Sequence, residues 1–314
     1  MVSGTILVIG AGSIGKRHAG NLERLGARVE QMPWRACDLH DIAKRTDVTA
    51  MVIATATQIR LELVQLCAQK GWPFYAEKPL AWRVDQAQAI HAAAAPVAAR
   101  SMVGFMMRYH PAVQDLVARD LSHIYGFSFE IGHDVRQWRA NWRFADSYAA
   151  KPQGGGVLLD LSHELDMALA LFPGLTVQSA QSIGHLGFPG VDFATRIALA
   201  APNGPAGTVA MDYLSPVSLR RAGLRGMDGI LDLDFLAPAL THATPKGSET
   251  LRYSFDRNDM FLSAMRDFLA LVDGRAPSGN PLLPRFDRME TSTHLIAAAW
   301  EARTFTAQLS HDMG

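Results

Sequence analysis

The chain has 314 residues, 48% of them hydrophobic and 19% charged, with a formal net charge of zero. That is enough apolar material for one large domain or two ordinary ones. The charge balance excludes a protein built mainly to hold nucleic acid or an anionic membrane, which needs a basic face. Two cysteines, Cys37 and Cys67, give neither a disulfide framework nor a zinc-ligand spacing, and no run of about 18 apolar residues suggests a membrane span. The opening MVSGTILVIG has neither the basic start nor the long apolar stretch of a secretory leader, so a cytoplasmic protein is expected.

Residues 5–26, TILVIGAGSIGKRHAGNLERLG, read as strand, tight turn and helix, with the strand at Thr5–Ile9. Gly10, Gly12 and Gly15 fit G-x-G-x-x-G, where the glycines serve a tight turn, close approach of a pyrophosphate, and close helix–strand packing. Phosphates would rest on N–H groups at the helix start, at Ser13 and Ile14. The pattern therefore predicts a dinucleotide-binding turn. A second strand ends at RVEQM (28–32), and the next residues are Pro33, Trp34 and Arg35. A dehydrogenase that prefers NAD carries an acid here for the ribose 2′-OH. Arg35 would instead meet a 2′-phosphate and Trp34 would cover the adenine, which leans towards NADP over NAD. The alternative is that both residues are surface loop and that Asp38 or a backbone group serves the ribose.

TAMVIATAT (49–57) is a continuous apolar strand of the kind buried on both faces in a parallel sheet. It ends in Thr55 and Thr57, at the carboxyl end where open α/β sheets bind ligands, so both are candidate cofactor contacts. LELVQLCAQKG (61–71) is a helix stopped by glycine. PFYAEKPLA (73–81) is the next strand and ends in Glu77-Lys78-Pro79, facing the crevice expected for the nicotinamide. The proline holds Lys78 away from helical geometry.

The glycine-rich turn, Glu77-Lys78-Pro79, VGFMMRYHP (103–111) and GGGVLLDLSHELD (154–166) occur in an order that resembles the Gfo/Idh/MocA oxidoreductases over most of the chain. The resemblance implies an N-terminal Rossmann domain, α/β and doubly wound on a parallel sheet, taken as residues 1–122. It implies a second, α+β domain with a large, open, mostly antiparallel sheet, taken as 123–314. It also implies NAD(P)-dependent hydride transfer at a secondary alcohol or ketone of a sugar, inositol or sugar derivative. Lys78 matches the family's lysine near substrate and cofactor, with Glu77 beside it. Asp160 and His163 match its aspartate and histidine on the helix after the glycines.

There are departures. Asp160 and His163 are three apart where four is commoner, so His163 is the firmer match and Asp160 is a cap or an orienting neighbour. The strand that usually reads A-T-P-x-x-x-H is ATATQIR (54–60), with Arg60 in the histidine's place. Met106 and Met107 replace commonly polar positions, while Arg108 remains as a substrate residue or a structural ion pair.

Beyond Pro111 the chain reads as a helix to about Asp120, then an alternating strand at 124–133. Further strands are expected at 193–200, 207–215 and 229–236, turn-rich segments at 201–207 and 241–247, and helices at 258–274 and 286–305. The segment 133–153 interleaves Arg136, Arg139 and Arg143 with Trp138, Trp142, Phe144 and Tyr148. Aromatic faces pack on sugar rings, and arginines make bidentate contacts to carboxylates or phosphates. It reads as a substrate loop, with Arg136, Trp138, Arg139, Trp142 and Tyr148 as contacts to a sugar-like substrate, neutral or anionic; the alternative is a subunit contact or a surface lid stapled by its own ion pairs. An open sheet needs its exposed face covered, so a homodimer or homotetramer is expected.

His163 suits acceptance of the hydroxyl proton, its unperturbed pKa lying near neutrality. Asp160, read as one helical turn away, would orient the imidazole, and Lys78 would polarise the hydroxyl or the developing oxyanion. Asp160, His163 and Asp166 do not share one narrow helix face, so no metal site is expected. Two other functions compete: a glycoside-cleaving enzyme that oxidises its sugar transiently with retained cofactor, and a non-catalytic nicotinamide-binding sensor or scaffold.

Overall fold

The computed structural model describes residues 4–138 and 143–313. The first strand, β1 (Thr5–Ile9), is apolar at four of five positions and buried at all of them, as a central strand covered on both faces must be. After it come α1 (Ser13–Arg24), β2 (Arg28–Met32), α2 (Leu39–Ala43), β3 (Val48–Ile53), α3 (Arg60–Lys70), β4 (Phe74–Ala76), α4 (Val84–Ala94) and β5 (Met102–Val103). These five strands form one parallel sheet in the order β2-β1-β3-β4-β5. The chain steps from β1 to one side for β2 and to the other for β3, so the direction of winding reverses between β1 and β3. That reversal opens a crevice beyond the carboxyl ends of the strands.

The next stretch holds α5 (Pro111–Val117), β6 (Ile124–Gly132), α6 (Val157–Asp160), α7 (His163–Leu171) and seven further strands. These are β7 (Thr176–His185), β8 (Ala194–Ala200), β9 (Ala206–Asp212), β10 (Leu219–Gly226), β11 (Ile230–Asp234), β12 (Ala239–Thr244) and β13 (Gly247–Arg252). Then follow α8 (Arg257–Val272), α9 (Glu290–Glu301) and β14 (Arg303–Leu309). Among the described residues the second sheet has nine strands in the order β13-β12-β11-β10-β6-β9-β8-β7-β14. Only β6–β9 and β7–β14 pair in parallel, so the sheet is mixed and mostly antiparallel, as expected. Helices α6 and α7 pack on it through fully buried Leu158, Leu165, Met167 and Ala168.

Several expectations need correction. The chain divides into two compact units, one up to His110 together with Phe255–His294, the other Pro111–Ser254 together with the chain from Leu295. A single cut after residue 122 does not follow this division. The reason is α8: Met260, Phe261, Ala264, Met265 and Phe268 are buried, and this helix packs on α1 and on the turn at 106–109, both in the first unit. The turn-rich reading of 241–247 narrows to the turn at Pro245 and Lys246, because β12 runs through Thr244. Its pairing with β13 satisfies the backbone, and Thr241 and Thr250 share a hydroxyl hydrogen bond at 2.9 Å across it. The last helix stops at Glu301, since Arg303–Leu309 finds a sheet partner in β7. Strands β7 and β10 carry too many polar residues to read as strands. On β10 the arginines are matched by Glu164, Glu130 and Asp232.

Candidate cofactor groove and candidate catalytic residues

At the point where the first sheet reverses lies a groove of about 390 Å³, lined by Gly10, Ala11, Gly12, Pro33, Trp34, Arg35, Ala54, Thr55, Ala56 and Ile59. Its wall thus comes from the ends of β1, β2 and β3. Gly10 has φ +128°, a conformation closed to most side chains, and a Cβ there would strike the Ala54 carbonyl. A Cβ at Gly15 would strike the Gly10 carbonyl, which also accepts a 2.8 Å hydrogen bond from Gln31 Nε2. Gly12, by contrast, faces open space and is the N-cap of α1, without a capping side chain. The turn is therefore tight where it meets its own sheet and open towards the groove. With Ser13 and Ile14 in the first turn of α1 and no acidic side chain there, the positive end of a 12-residue helix looks onto this space, a fit for a pyrophosphate.

Trp34 and Arg35 form a short 3-10 turn directly after β2, and Arg35 is exposed at the groove wall. Asp38, the alternative ribose acceptor, instead caps α2, accepting from His40 N at 2.8 Å and Asp41 N at 3.2 Å. Thr55 lines the groove while its hydroxyl donates to the Ala56 carbonyl; Thr57 begins the short turn that leads into α3. Glu77 and Lys78 follow β4, with the Lys78–Pro79 peptide cis. The Glu77 carboxylate is turned inward and meets His18 Nε2 of α1 at 2.6 Å. Lys78 is half-buried. Arg108 is buried within the first unit, donating to Ser292 Oγ at 3.1 Å and to the Leu282 carbonyl at 3.4 Å.

In the second unit the glycine run is built as a cradle. Gly156 has φ +91°, and a Cβ there would strike the Asp192 carboxylate. That carboxylate accepts from Leu158 N at 2.9 Å and pairs with Arg303, so it caps the one-turn helix α6. Asp160 ends α6 and His163 begins α7; the two are not on one helix. The reason is local: Leu161 takes φ −102°, ψ 27°, which ends the first helix, and Ser162 serves as the N-cap of the second. The reading of Asp160 as one turn before His163 is corrected accordingly. Asp160 instead accepts from the Tyr148 hydroxyl.

Around Asp160 lie groups that sequence inspection missed. The Tyr213 hydroxyl is fully buried and donates to the Gly156 carbonyl at 3.2 Å. Burial raises its pKa well above the ordinary range, and the Asp160 charge pushes the same way. Burial lowers the pKa of His133, against the pull of Asp160 and Asp212. The His133 and Tyr213 rings each lie 5.3 Å from Trp138. No local pattern marks Tyr213 or Asp192, because both act across the sheet on a segment far away in sequence.

Two arginines of the 133–153 loop pair within the loop: Arg136 with Asp134 at 2.8 Å and Arg143 with Asp146 at 3.0 Å. Tyr148 is exposed, and its hydroxyl donates to Asp160. Arg139 and Trp142 lie outside the described residues. Among the described residues no cluster of histidine, cysteine, aspartate and glutamate is placed to hold a metal ion, and no helix is long and apolar enough to cross a membrane.

A glycine turn at the winding reversal of a parallel sheet is the architecture of a dinucleotide-binding domain, and comparison with known proteins agrees. No family model matches the chain. Over 229 residues it is 24% identical to a trans-1,2-dihydrobenzene-1,2-diol dehydrogenase of Xenopus laevis, covering 71% of this chain and 67% of that protein. Over 120 residues it is 31% identical to an inositol 2-dehydrogenase of Rhizobium meliloti (strain 1021), covering 33% of this chain and only 36% of that protein. Levoglucosan dehydrogenase in complex with NADH and levoglucosan has the same fold, with a TM-score of 0.76 at 18% identity and 95% of each chain covered. A 3-ketoreductase from Actinomadura kijaniata in complex with NADP and TDP-benzene gives 0.75 at 17% identity, covering 98% of this chain and 99% of that one. In sequence and fold the chain is therefore similar to the Gfo/Idh/MocA-type oxidoreductases, NAD(P)-dependent enzymes that act on CH–OH groups.

Proposed function

We propose that the protein transfers hydride between NADP and a secondary alcohol or ketone of a neutral sugar, inositol or related cyclic polyol, with Lys78 and His163 handling the proton. The observation that supports the cofactor preference is the groove wall after β2, where exposed Arg35 stands beside Trp34 and the nearby Asp38 is committed to capping α2. The bound nicotinamide would supply the hydride acceptor or donor. Gly10, Gly12 and the first turn of α1 would hold the pyrophosphate, Thr55 would contact the cofactor, and Arg35 would pair with the 2′-phosphate.

Lys78 provides a cation for the hydroxyl oxygen as it loses its proton. His163, at the start of α7, is the proton acceptor, and it returns the proton when the reaction runs towards the alcohol. Asp160 is a positioning group, held with Tyr148 and Tyr213. Trp138 and Tyr148 offer aromatic faces to a sugar ring. Arg136 is paired with Asp134, which favours a substrate without a negative charge. Arg108 serves the frame of the first unit. The polyol class rests on relatives named for inositol and dihydrodiol substrates and on a structural neighbour that holds levoglucosan.

The test is absorbance at the reduced-nicotinamide band across inositols, levoglucosan and other neutral sugars, with NADP and NAD compared. The expected result is NADP-dependent turnover that falls about 10²- to 10⁴-fold in Lys78→Ala and in His163→Ala. Variants that turn over as fast as the parent would remove both assignments.

A further inference from the structure

The residue that departs most from the resemblance is Arg60, and the structure gives it a position rather than a vacancy. It opens α3 and is buried to 3% exposure. Its side chain reaches back to the ends of two neighbouring strands. Nη2 donates to the Thr55 carbonyl at 2.9 Å, in the loop after β3, and Nη1 donates to the Glu77 carbonyl, in the loop after β4. Both carbonyls lie just past the last ladder pair, Ile53 with Ala76, where the sheet no longer supplies a donor. Burial draws the Arg60 guanidinium down to about 10, against the favourable field of Glu77, so it stays charged at neutral pH.

The same glutamate is fixed from the other side. Its carboxylate meets His18, a fully buried residue of α1. It also packs on Gly104, where a Cβ would come within 2.9 Å of it. The three segments that would surround a cofactor are thus tied together: α1 through His18, the β4 loop through Glu77, and the β3 loop through Arg60.

We propose that Arg60 is a positioning residue that clamps the Thr55 loop to the backbone immediately before Lys78, so that cofactor loop and lysine loop are set by one side chain. The fork geometry is what makes this possible, since a guanidinium offers two parallel donors and an ammonium is a point charge. This inference rests on the proposed roles of Thr55 and Lys78.

The test uses the full-length protein with Arg60→Met and Arg60→Lys. Phe286→Leu serves as a control that loosens the same unit elsewhere, Phe286 being fully buried against Phe74. Two quantities are read: amide hydrogen exchange without cofactor, and the NADPH dissociation constant measured well below the melting temperature. Arg60→Met is expected to speed exchange about tenfold in peptides covering 54–59 and 77–81 and to weaken NADPH about tenfold. Arg60→Lys should recover part of both, and Phe286→Leu should change neither. An unchanged pair of peptides in Arg60→Met, an NADPH constant within twofold of the parent, or the same losses in Phe286→Leu would overturn the proposal. If the parent itself binds neither NADPH nor NADH, the cofactor reading fails. The clamp is then judged by exchange alone, where loss confined to the two loops supports it and parent-like protection refutes it.

Discussion

Asp192 is the point at which the stability of the second unit and the placement of its candidate catalytic segment meet. Its carboxylate is fully buried, accepts from Leu158 N and from Thr195 Oγ1 at 2.9 Å each, and pairs with Arg303, whose side chain is 7% exposed. Asp192→Asn keeps the volume and one acceptor oxygen but leaves Arg303 as a buried cation without its counter-ion. Breaking a buried pair from one side costs about 3–5 kcal/mol. At about 2–4 °C per kcal/mol for a unit of roughly 150–250 residues, the transition of the second unit should fall by about 6–20 °C. Arg303 also lies 4.1 Å from the Trp300 ring centroid, an interaction that softens the loss towards the lower figure. Because the penalty comes from an orphaned charge, removing the charge as well should relieve it. The double variant Asp192→Asn with Arg303→Met should therefore be less destabilised than the two single changes added together, with a coupling of about 0.5–3 kcal/mol. The assay is calorimetric unfolding of the parent, both single variants and the double. A melting temperature for Asp192→Asn within about 2 °C of the parent, near the shift expected for only 1 kcal/mol, would refute the reasoning, as would strict additivity.

Three further outcomes are expected. Arg35→Ala should weaken NADPH by about ten- to a hundredfold, the worth of a charge-assisted hydrogen bond, while NADH changes less than twofold; equal losses for both, in a fluorescence titration, would remove Arg35 from the 2′-phosphate. Tyr148→Phe removes the hydroxyl that donates to Asp160. Since Tyr148 is exposed, stability should stay within about 0.5 kcal/mol while kcat falls about tenfold, and a parent-like kcat would leave the pair without a role in turnover. His91 has its pKa drawn by burial from 6.5 to about 4. The unfolded chain therefore binds this proton at a higher pH than the folded one, so the stabilising contribution is present above about pH 6.5 and is lost as pH falls towards 4. Urea midpoints between pH 7.5 and 4.5 should decline less steeply in His91→Gln than in the parent, and parallel slopes would count against this account.

Much of the first unit was legible because its signals are local. TILVI and VTAMVI announce buried parallel strands by composition, and the spacing of Gly10, Gly12 and Gly15 reports backbone sterics within a single turn. The groove lined by Trp34, Arg35 and Thr55 followed from those strand ends alone. In the second unit the same method weakened. Strands β7, β10 and β14 are held by neighbours rather than by their own apolar patterns, and the arginines of β10 are acceptable only because Glu164, Glu130 and Asp232 meet them. Whether Arg136 faced a ligand or its own loop depended on Asp134, two residues away, yet the choice was geometric and no composition could make it.

By itself, then, the sequence located the residues on which the proposed chemistry rests: a glycine turn after the first strand, a lysine at a strand end, and a histidine after a glycine run. Tertiary structure alone decided that the helix breaks between Asp160 and His163, that Phe255–His294 returns to the first unit, and that Arg60 bridges two loops. Periodicity and turn chemistry are settled among adjacent residues, whereas a buried charge or a polar strand is stable only beside a partner. Those partners stand far off, as Arg303 does from Asp192, and only folding brings them together.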